Sequence, residues 1–398
     1  MYPNFYYIFK DWFGIELEFL KIINSFGFFV ALSFLLAGYV MQRELKRKYN
    51  DGILGKGNTI KYVVGKAMSK SDYITSGITG FIFGFKLLPL LIDFSVAKND
   101  PQSYLLSGQG SLLYGILLAA AFLGFNYWQD KKQRLDVPVE KTKHVDPSYY
   151  IGEMTLGAFI GGILGAKLFH ILENLSEFNQ DPMGSIMSFS GLTFYGGLIV
   201  GGITVLYIAK KRGIPFLHML DVGGPAMMLS YGTGRIGCHV SGDGDWGIVN
   251  TAPKPNWMSF LPDWMWVYDY PHNVNSVGVP IPGCVGEQHC MHLDPGVFPT
   301  PFYETLMALT LFFILWKLRK KFKYGGILFG VYLIMNGIER FFIEKIRVNT
   351  IMDFLGMKVT QAEIISTGMA ILGVILIIFA LNKKLPVKKL DNSGTALE

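Results

Sequence analysis

Hydrophobic residues along this chain collect in nine long runs, at 19–40, 73–95, 111–128, 150–172, 192–209, 217–238, 299–317, 325–343 and 364–382. Most reach the roughly 17–25 residues that an α-helix needs to cross the hydrocarbon core of a bilayer. Apolar runs of that length with few charges predict membrane spans. The run at 217–238 is interrupted by glycine and proline and is the least regular. The pattern predicts an all-α, polytopic transmembrane protein of about nine spans.

Composition points the same way. Of 398 residues, 51% are hydrophobic and 17% charged, against roughly 25% charged in a typical soluble domain. The net charge of +6 would suit a nucleic-acid partner only if it formed one patch, and it does not. Lys and Arg follow alternate loops: segments 41–72, 129–149, 210–212, 317–323 and 383–398 hold 25, and the intervening segments hold seven. The positive-inside rule then predicts an outside N-terminus, a cytoplasmic C-terminus and a large outside segment at 239–298. The first run has no basic leader or small-residue cleavage site, so it reads as a retained span. Cys284 and Cys290 share the outside segment and can either pair or stay as free thiols. No metal-ligand spacing is present among cysteines and histidines.

Residues 76–130 and 157–211 align without a gap at an offset of 81. Gly80, Gly84, Lys86 and Leu87 match Gly161, Gly165, Lys167 and Leu168. The Asp-Pro pairs at 100–101 and 181–182 also match. Ser107, Gly110, Tyr114, Gly115 and Leu117 match Ser188, Gly191, Tyr195, Gly196 and Leu198. Each unit is two spans followed by a basic linker, so both copies have one orientation. Parallel repeats occur in transporters and also arise by plain duplication. Glycines four apart let helices approach closely.

Charges inside apolar runs are the informative exceptions. Lys86, Lys167, Arg235, Glu304, Arg340 and Glu344 lie in or at the ends of spans. A charge at mid-bilayer costs about 2.5 kcal/mol or more and usually faces an interior or a water-filled site. Near a span end it can instead snorkel to the interface. Arg340 and Glu344 are one turn apart and share a helix face. Paired arginines suit a phosphate, because the guanidinium fork matches its oxygens. The stretch GTGRIG (232–237) has the glycine spacing of a dinucleotide loop. It neither follows a strand nor opens a soluble helix, so the match is a by-product of glycine richness.

Four stretches in order resemble the motifs of the prolipoprotein diacylglyceryl transferase family. GRIGCHVSGDGDWG (234–247) resembles the family's GR-x-GN-x-x-NGE-x-x-G signature. GLTFYGGLIVGG (191–202) resembles its F-H-G-G stretch. FPTPFYETLM (298–307) resembles its H-P-x-Q-x-Y-E stretch. GIERFFIEKIR (337–347) resembles its final R-x-x-x-E-x-x-R. The resemblance spans about 111–383, where seven runs correspond to the family's seven spans. It makes 1–110 a two-span extension expected to be dispensable for chemistry, and 384–398 a cytoplasmic tail.

That resemblance implies transfer of the diacylglyceryl group of phosphatidylglycerol to the lipobox cysteine of a prolipoprotein signal peptide, in a bacterial cytoplasmic membrane with the site at the outer leaflet. It implies no cofactor and no metal, because the nucleophile is the substrate's own thiolate. By carry-over, Arg235 and Arg340 are phosphate ligands and Glu344 orients Arg340. Tyr114, Lys167, Gly196, Asp243, Tyr303, Glu304 and Arg347 fall in the binding motifs. The chain departs from the pattern at several places. Tyr195 replaces the family histidine, Cys238 an asparagine, Phe298 a histidine and Ile163 an arginine, and one residue is inserted in SGDGDWG. Tyr195 and His239 are therefore both candidates for the thiol's proton. The competing readings are a lipid-handling or transport protein built on the duplicated unit, with sites near the midplane, and a membrane component without catalysis.

Overall fold

The computed structural model describes residues 1–55, 57–92, 104–105, 107–187, 193–284, 289–322, 324–354 and 356–383. The repeat positions 100–101, 188 and 191 and the tail 384–398 lie outside these. Twelve α-helices are present among the described residues: α1 (Phe5–Phe13), α2 (Ser25–Asn50), α3 (Lys70–Ile92), α4 (Leu112–Gln133), α5 (Ile151–Glu173), α6 (Leu175–Gln180), α7 (Pro182–Met187), α8 (Phe194–Lys211), α9 (Phe216–Ser241), α10 (Thr300–Leu318), α11 (Ile327–Ile343) and α12 (Gln361–Lys383). Six segments are long and apolar enough to cross a membrane: Ser25–Asn50, Lys70–Ile92, Leu112–Gln133, Pro147–Glu173, Thr300–Leu318 and Gln361–Asn382. The other three long helices are weaker for visible reasons. α11 has 17 residues, α8 ends in Lys210 and Lys211, and α9 carries Asp221, Arg235 and an internal Pro225.

The chain divides into two compact units. The larger comprises 1–3, 25–58 and 145–398 and contains α2 and α5 to α12. At its centre is α9, which packs on α2, α10 and α11. Val40, Ala226, Met228, Ala308, Phe312, Leu315, Leu328 and Tyr332 from these four helices form the core. Outward faces stay apolar, as on α12 with Ile371, Leu372, Val374 and Ile375 exposed. Broad apolar surface of this kind needs lipid or a partner to cover it. Glycines close two helix pairs. Gly161 and Gly165 of α5 meet Val200 and Thr204 of α8, and Gly330 and Gly337 of α11 meet α12.

Within residues 1–110, read from the sequence as an extension, α2 is built into the unit that holds the signature. Gly237 of α9 has Phe26 and Phe29 of α2 against it. Ser230 Oγ donates to the Ser33 carbonyl at 3.1 Å. At the far end of α2, buried Glu44 receives Arg47 at 2.5 Å and Arg319 at 3.0 Å, and Lys48 lies 3.5 Å from Asp221. Asp221 in turn accepts the Gly326 and Phe329 backbone N–H groups, each at 3.0 Å, which satisfies donors at the start of α11. The N-terminus is anchored too: the Met1 amine donates to the Pro271 carbonyl at 2.7 Å. The larger unit thus has seven long helices, with α2 and not α4 as the first.

The smaller unit comprises 4–24 and 59–144. Its helices α3 and α4 pack together, with Gly80 and Gly84 against the backbone of Leu118 and Tyr114. Lys86 turns to the loop that follows its helix. Its ammonium is held by the carbonyls of Tyr104 at 2.8 Å, Gln109 at 2.7 Å and Ser107, which ties the loop to the helix.

The connection between α9 and α10 in the larger unit has its own small core of Tyr270, Leu293 and Val297, packed by Trp246 and Tyr268. Val279–Pro280 and Met291–His292 pair antiparallel, and Cys284 and Cys290 form a disulfide. Of the two alternatives for these cysteines, pairing is the one found.

Candidate active site

Three arginines from the ends of α9 and α11 converge on one carboxylate from α10. Two features of the sequence aim α10 at them. Pro301 at its start removes a backbone donor that would have no partner, and buried Thr300 donates to the Asp245 carbonyl at 2.8 Å. Glu304, one turn in, is fully buried. Its Oε2 takes Arg235 Nε and the Tyr231 hydroxyl at 2.6 Å. Its Oε1 takes Arg347 Nη1 at 2.6 Å and has Arg340 Nη1 at 3.8 Å. Arg340 also meets buried Glu344 at 2.9 Å, one turn along.

Above this layer lies Asp245. One of its oxygens takes Arg235 Nη1, and the other takes Arg347 Nη2 at 2.5 Å. The local sequence explains its direction. Gly242 ends α9 in the left-handed conformation (φ 64°), and Gly244 at φ 98° turns the chain back over the last turns of the helix. Such φ values favour glycine. Gly247 then passes beside the Ile346 carbonyl and Phe298, where a Cβ would collide. Its N–H donates to the Phe298 carbonyl at 2.9 Å.

The two aspartates differ in electrostatics. Burial pushes the Asp243 carboxyl above the usual range, and the negative charge of Asp245 adds to that. Burial also opposes ionisation of Asp245, but the Arg235 and Arg347 guanidinium groups outweigh it and hold this carboxyl below the usual range. The two neighbouring carboxyls are thus pushed in opposite directions.

The sequence reading placed Asp243 in the binding motif and did not single out Asp245. It is Asp245 whose oxygens take the Arg235 and Arg347 guanidinium groups, while Asp243 Oδ1 accepts the Asp245 N–H at 3.3 Å. The inserted residue in SGDGDWG was the available signal, since it leaves two aspartates competing for one motif position. Tyr231 and Glu339 were missed as well. Glu339 is buried beside Arg340, and neither of its carboxylate oxygens has a hydrogen-bond partner. Its only sequence signal is a charge in a span.

His239 is not in the arginine cluster. Its ring is surrounded by Trp264, Tyr268, Tyr270 and Phe302 at centroid distances of 5.6–5.8 Å. Its Nδ1 is 3.2 Å from the Tyr270 hydroxyl. Tyr303, beside Glu304, donates to the Met265 carbonyl at 2.6 Å and helps hold the α9–α10 connection on α10. Tyr195 lies at the first turn of α8 and is half-exposed. Gly196 and Lys167 belong to the α5–α8 pair, with Gly196 against the Gly165 carbonyl. Tyr114 is in the smaller unit at the first turn of α4, its carbonyl against Gly84.

Cys238, Asp243 and Asp245 place candidate ligand atoms within 4.8 Å of one another. Arg235 already lies on both the Cys238 sulfur, at 3.7 Å, and Asp245.

The family model for prolipoprotein diacylglyceryl transferase matches residues 105–379. The chain belongs to this family. Among similar proteins, the phosphatidylglycerol–prolipoprotein diacylglyceryl transferase of Leptospira interrogans is 26% identical over 265 residues, covering 60% of this chain and 72% of the relative. That of Clostridium tetani is 29% identical, covering 59% and 80%. That of Methylobacillus flagellatus is 26% identical, covering 71% and 97%. The matched region begins inside the smaller unit and runs through Arg235, Glu304, Arg340 and Arg347.

Proposed function

We propose that this chain transfers the diacylglyceryl group of phosphatidylglycerol to the cysteine thiol of a prolipoprotein lipobox. The observation that carries the reading is a family match spanning three arginines gathered on buried Glu304. The substrate thiolate attacks the glyceryl carbon that bears the phosphate ester. A C–S bond forms, the C–O bond breaks, and its electron pair leaves on glycerol phosphate. Fixed cations aimed at that developing charge lower the barrier. Arg235, Arg340 and Arg347 serve this role, with Glu304 and Glu344 positioning them. The incoming cysteine, whose free pKa is about 8.5, already supplies a small thiolate fraction at neutral pH. Tyr195 and Lys167 meet the substrate from the α5–α8 pair. His239, enclosed by aromatic rings, supports the end of α9 and is not assigned the proton.

The site's position favours an enzyme over a transporter. Arg235 and Arg340 lie near the C-terminal ends of α9 and α11, and a transport site belongs near the midplane. The nine long helices are read as nine spans in a bacterial cytoplasmic membrane, N-terminus outside and C-terminus cytoplasmic, with the arginines at the outer leaflet. Residues 76–130 and 157–211 are read as two copies of one hairpin, the first held in the smaller unit. Incubating the purified protein with phosphatidylglycerol and a lipobox peptide tests the function. Added diacylglyceryl mass on the peptide supports it; an unmodified peptide with folded protein refutes it.

A further inference from the structure

The charges of the arginine cluster leave no net attraction for an incoming anion. Arg235, Arg340 and Arg347 face Glu304, Asp245 and Glu344, with Glu339 beside them. A phosphate can bind here with gain only if a carboxylate gives way, because like charges at close range oppose it. Glu304, Glu344 and Glu339 are buried within helices or at their ends and have no route out. Asp245 differs. It is 34% exposed and follows two glycines in left-handed conformations. Its two oxygens bridge Arg235 and Arg347 much as two phosphate oxygens would. Two buried donors also make no hydrogen bond, Arg340 Nη1, which is 3.8 Å from Glu304, and Arg347 Nε.

From this geometry we propose that Asp245 is a displaceable internal anion. It holds the Arg235–Arg347 fork in position and yields that place to the phosphate of an anionic glycerolipid, which also engages Arg340 Nη1 and Arg347 Nε. The proposal rests on the transferase reading for the identity of the ligand. Asp245 then sets the affinity for anionic over uncharged lipid: the native site opposes weak binders, and a neutral residue at 245 removes the competitor.

The test uses the full chain in phosphatidylcholine nanodiscs. Glycerol phosphate binding is read by thermal shift without peptide, and the half-saturating phosphatidylglycerol is read from transfer to a lipobox peptide. Asp245→Asn and, as a second neutral variant, Asp245→Ser are expected to bind glycerol phosphate on the order of tenfold more tightly than wild type and to lower the half-saturating lipid similarly. Asp245→Glu keeps the charge and is expected to bind glycerol phosphate no more tightly than wild type. Unchanged or weaker glycerol phosphate binding in both neutral variants overturns the proposal and makes Asp245 a fixed positioning residue. Loss of cooperative melting in both also overturns it, since a displaceable group cannot be essential to the fold. Tighter binding without any transfer by wild type leaves the proposal standing and refutes the transferase reading.

Discussion

Arg235 rests on Glu304, a salt bridge in which the carboxylate has no exposure at all. Neither group could remain charged alone in that environment, since isolated buried charges cost several kcal/mol each. Their pairing joins α9 to α10 at the place where both helices leave the apolar core.

Replacing Glu304 by alanine is therefore expected to do more than weaken catalysis. Breaking a buried pair by removing one partner costs about 3–5 kcal/mol, and here three arginines lose a common acceptor. Thermal unfolding in detergent should show a marked loss of stability alongside loss of transfer. A native melting curve would show that the arginines find other partners.

Arg235→Ala and Arg340→Ala are each expected to lower turnover about 100-fold or more, the usual consequence of removing a donor from developing charge. Lysine should rescue poorly, because it lacks the planar fork. Initial rates with phosphatidylglycerol and a lipobox peptide measure both. Near-normal turnover in either alanine variant would remove that arginine from the phosphate site.

Truncation at residue 105 is expected to abolish activity through loss of fold. It strips Val40 from the core and leaves Asp221 and Arg319 without Lys48 and Glu44. Excising 59–144 and joining the ends with a short Gly-Ser linker is expected to leave the larger unit folded, since that unit has its own core. Size-exclusion profiles and melting curves compare the two. A folded 105–398 fragment would reverse the account.

The two aspartates predict opposite pH behaviour. Asp245 is held below its unfolded value near 3.9. Its stabilising contribution is present above that value and is lost as pH falls through the folded one. Asp243 is held above its unfolded value. Its contribution is present below about 3.9 and is lost as pH rises through the folded value. Melting temperatures from pH 3 to 8 should show Asp245→Asn falling furthest below wild type at neutral pH. Asp243→Asn should gain on wild type over the same rise. Parallel curves for the two variants would contradict the assignment.

Single cysteines test the topology. Gly55→Cys lies in a predicted cytoplasmic loop, and Asp263→Cys in the outside segment, where the Asp263 side chain is 96% exposed. In intact cells an impermeant maleimide is expected to label position 263 but not 55. The reverse pattern would invert the orientation.

How far the sequence reached depended on the range of each interaction. Whether a segment enters a bilayer is decided by its own apolar length, so the long helices were visible as runs, and the loop charges gave a basis for their direction. Arg235, Glu304, Arg340 and Glu344 stood out because a charge in an apolar run is costly wherever the helix packs, and Arg347 entered through the family motif. The family motifs were equally local. Tertiary structure alone decided what depends on which helices touch. The sequence treated α2 as part of an extension, yet Phe26, Phe29, Ser33, Val40 and Glu44 build it into the core around α9. Lys86 looked like a residue of the site or the interface, until three carbonyls of its own loop enclosed it. Asp243 and Asp245 are equal as letters. Only the backbone turn at Gly242 and Gly244 gives Asp245 the arginines and leaves Asp243 beside a backbone N–H.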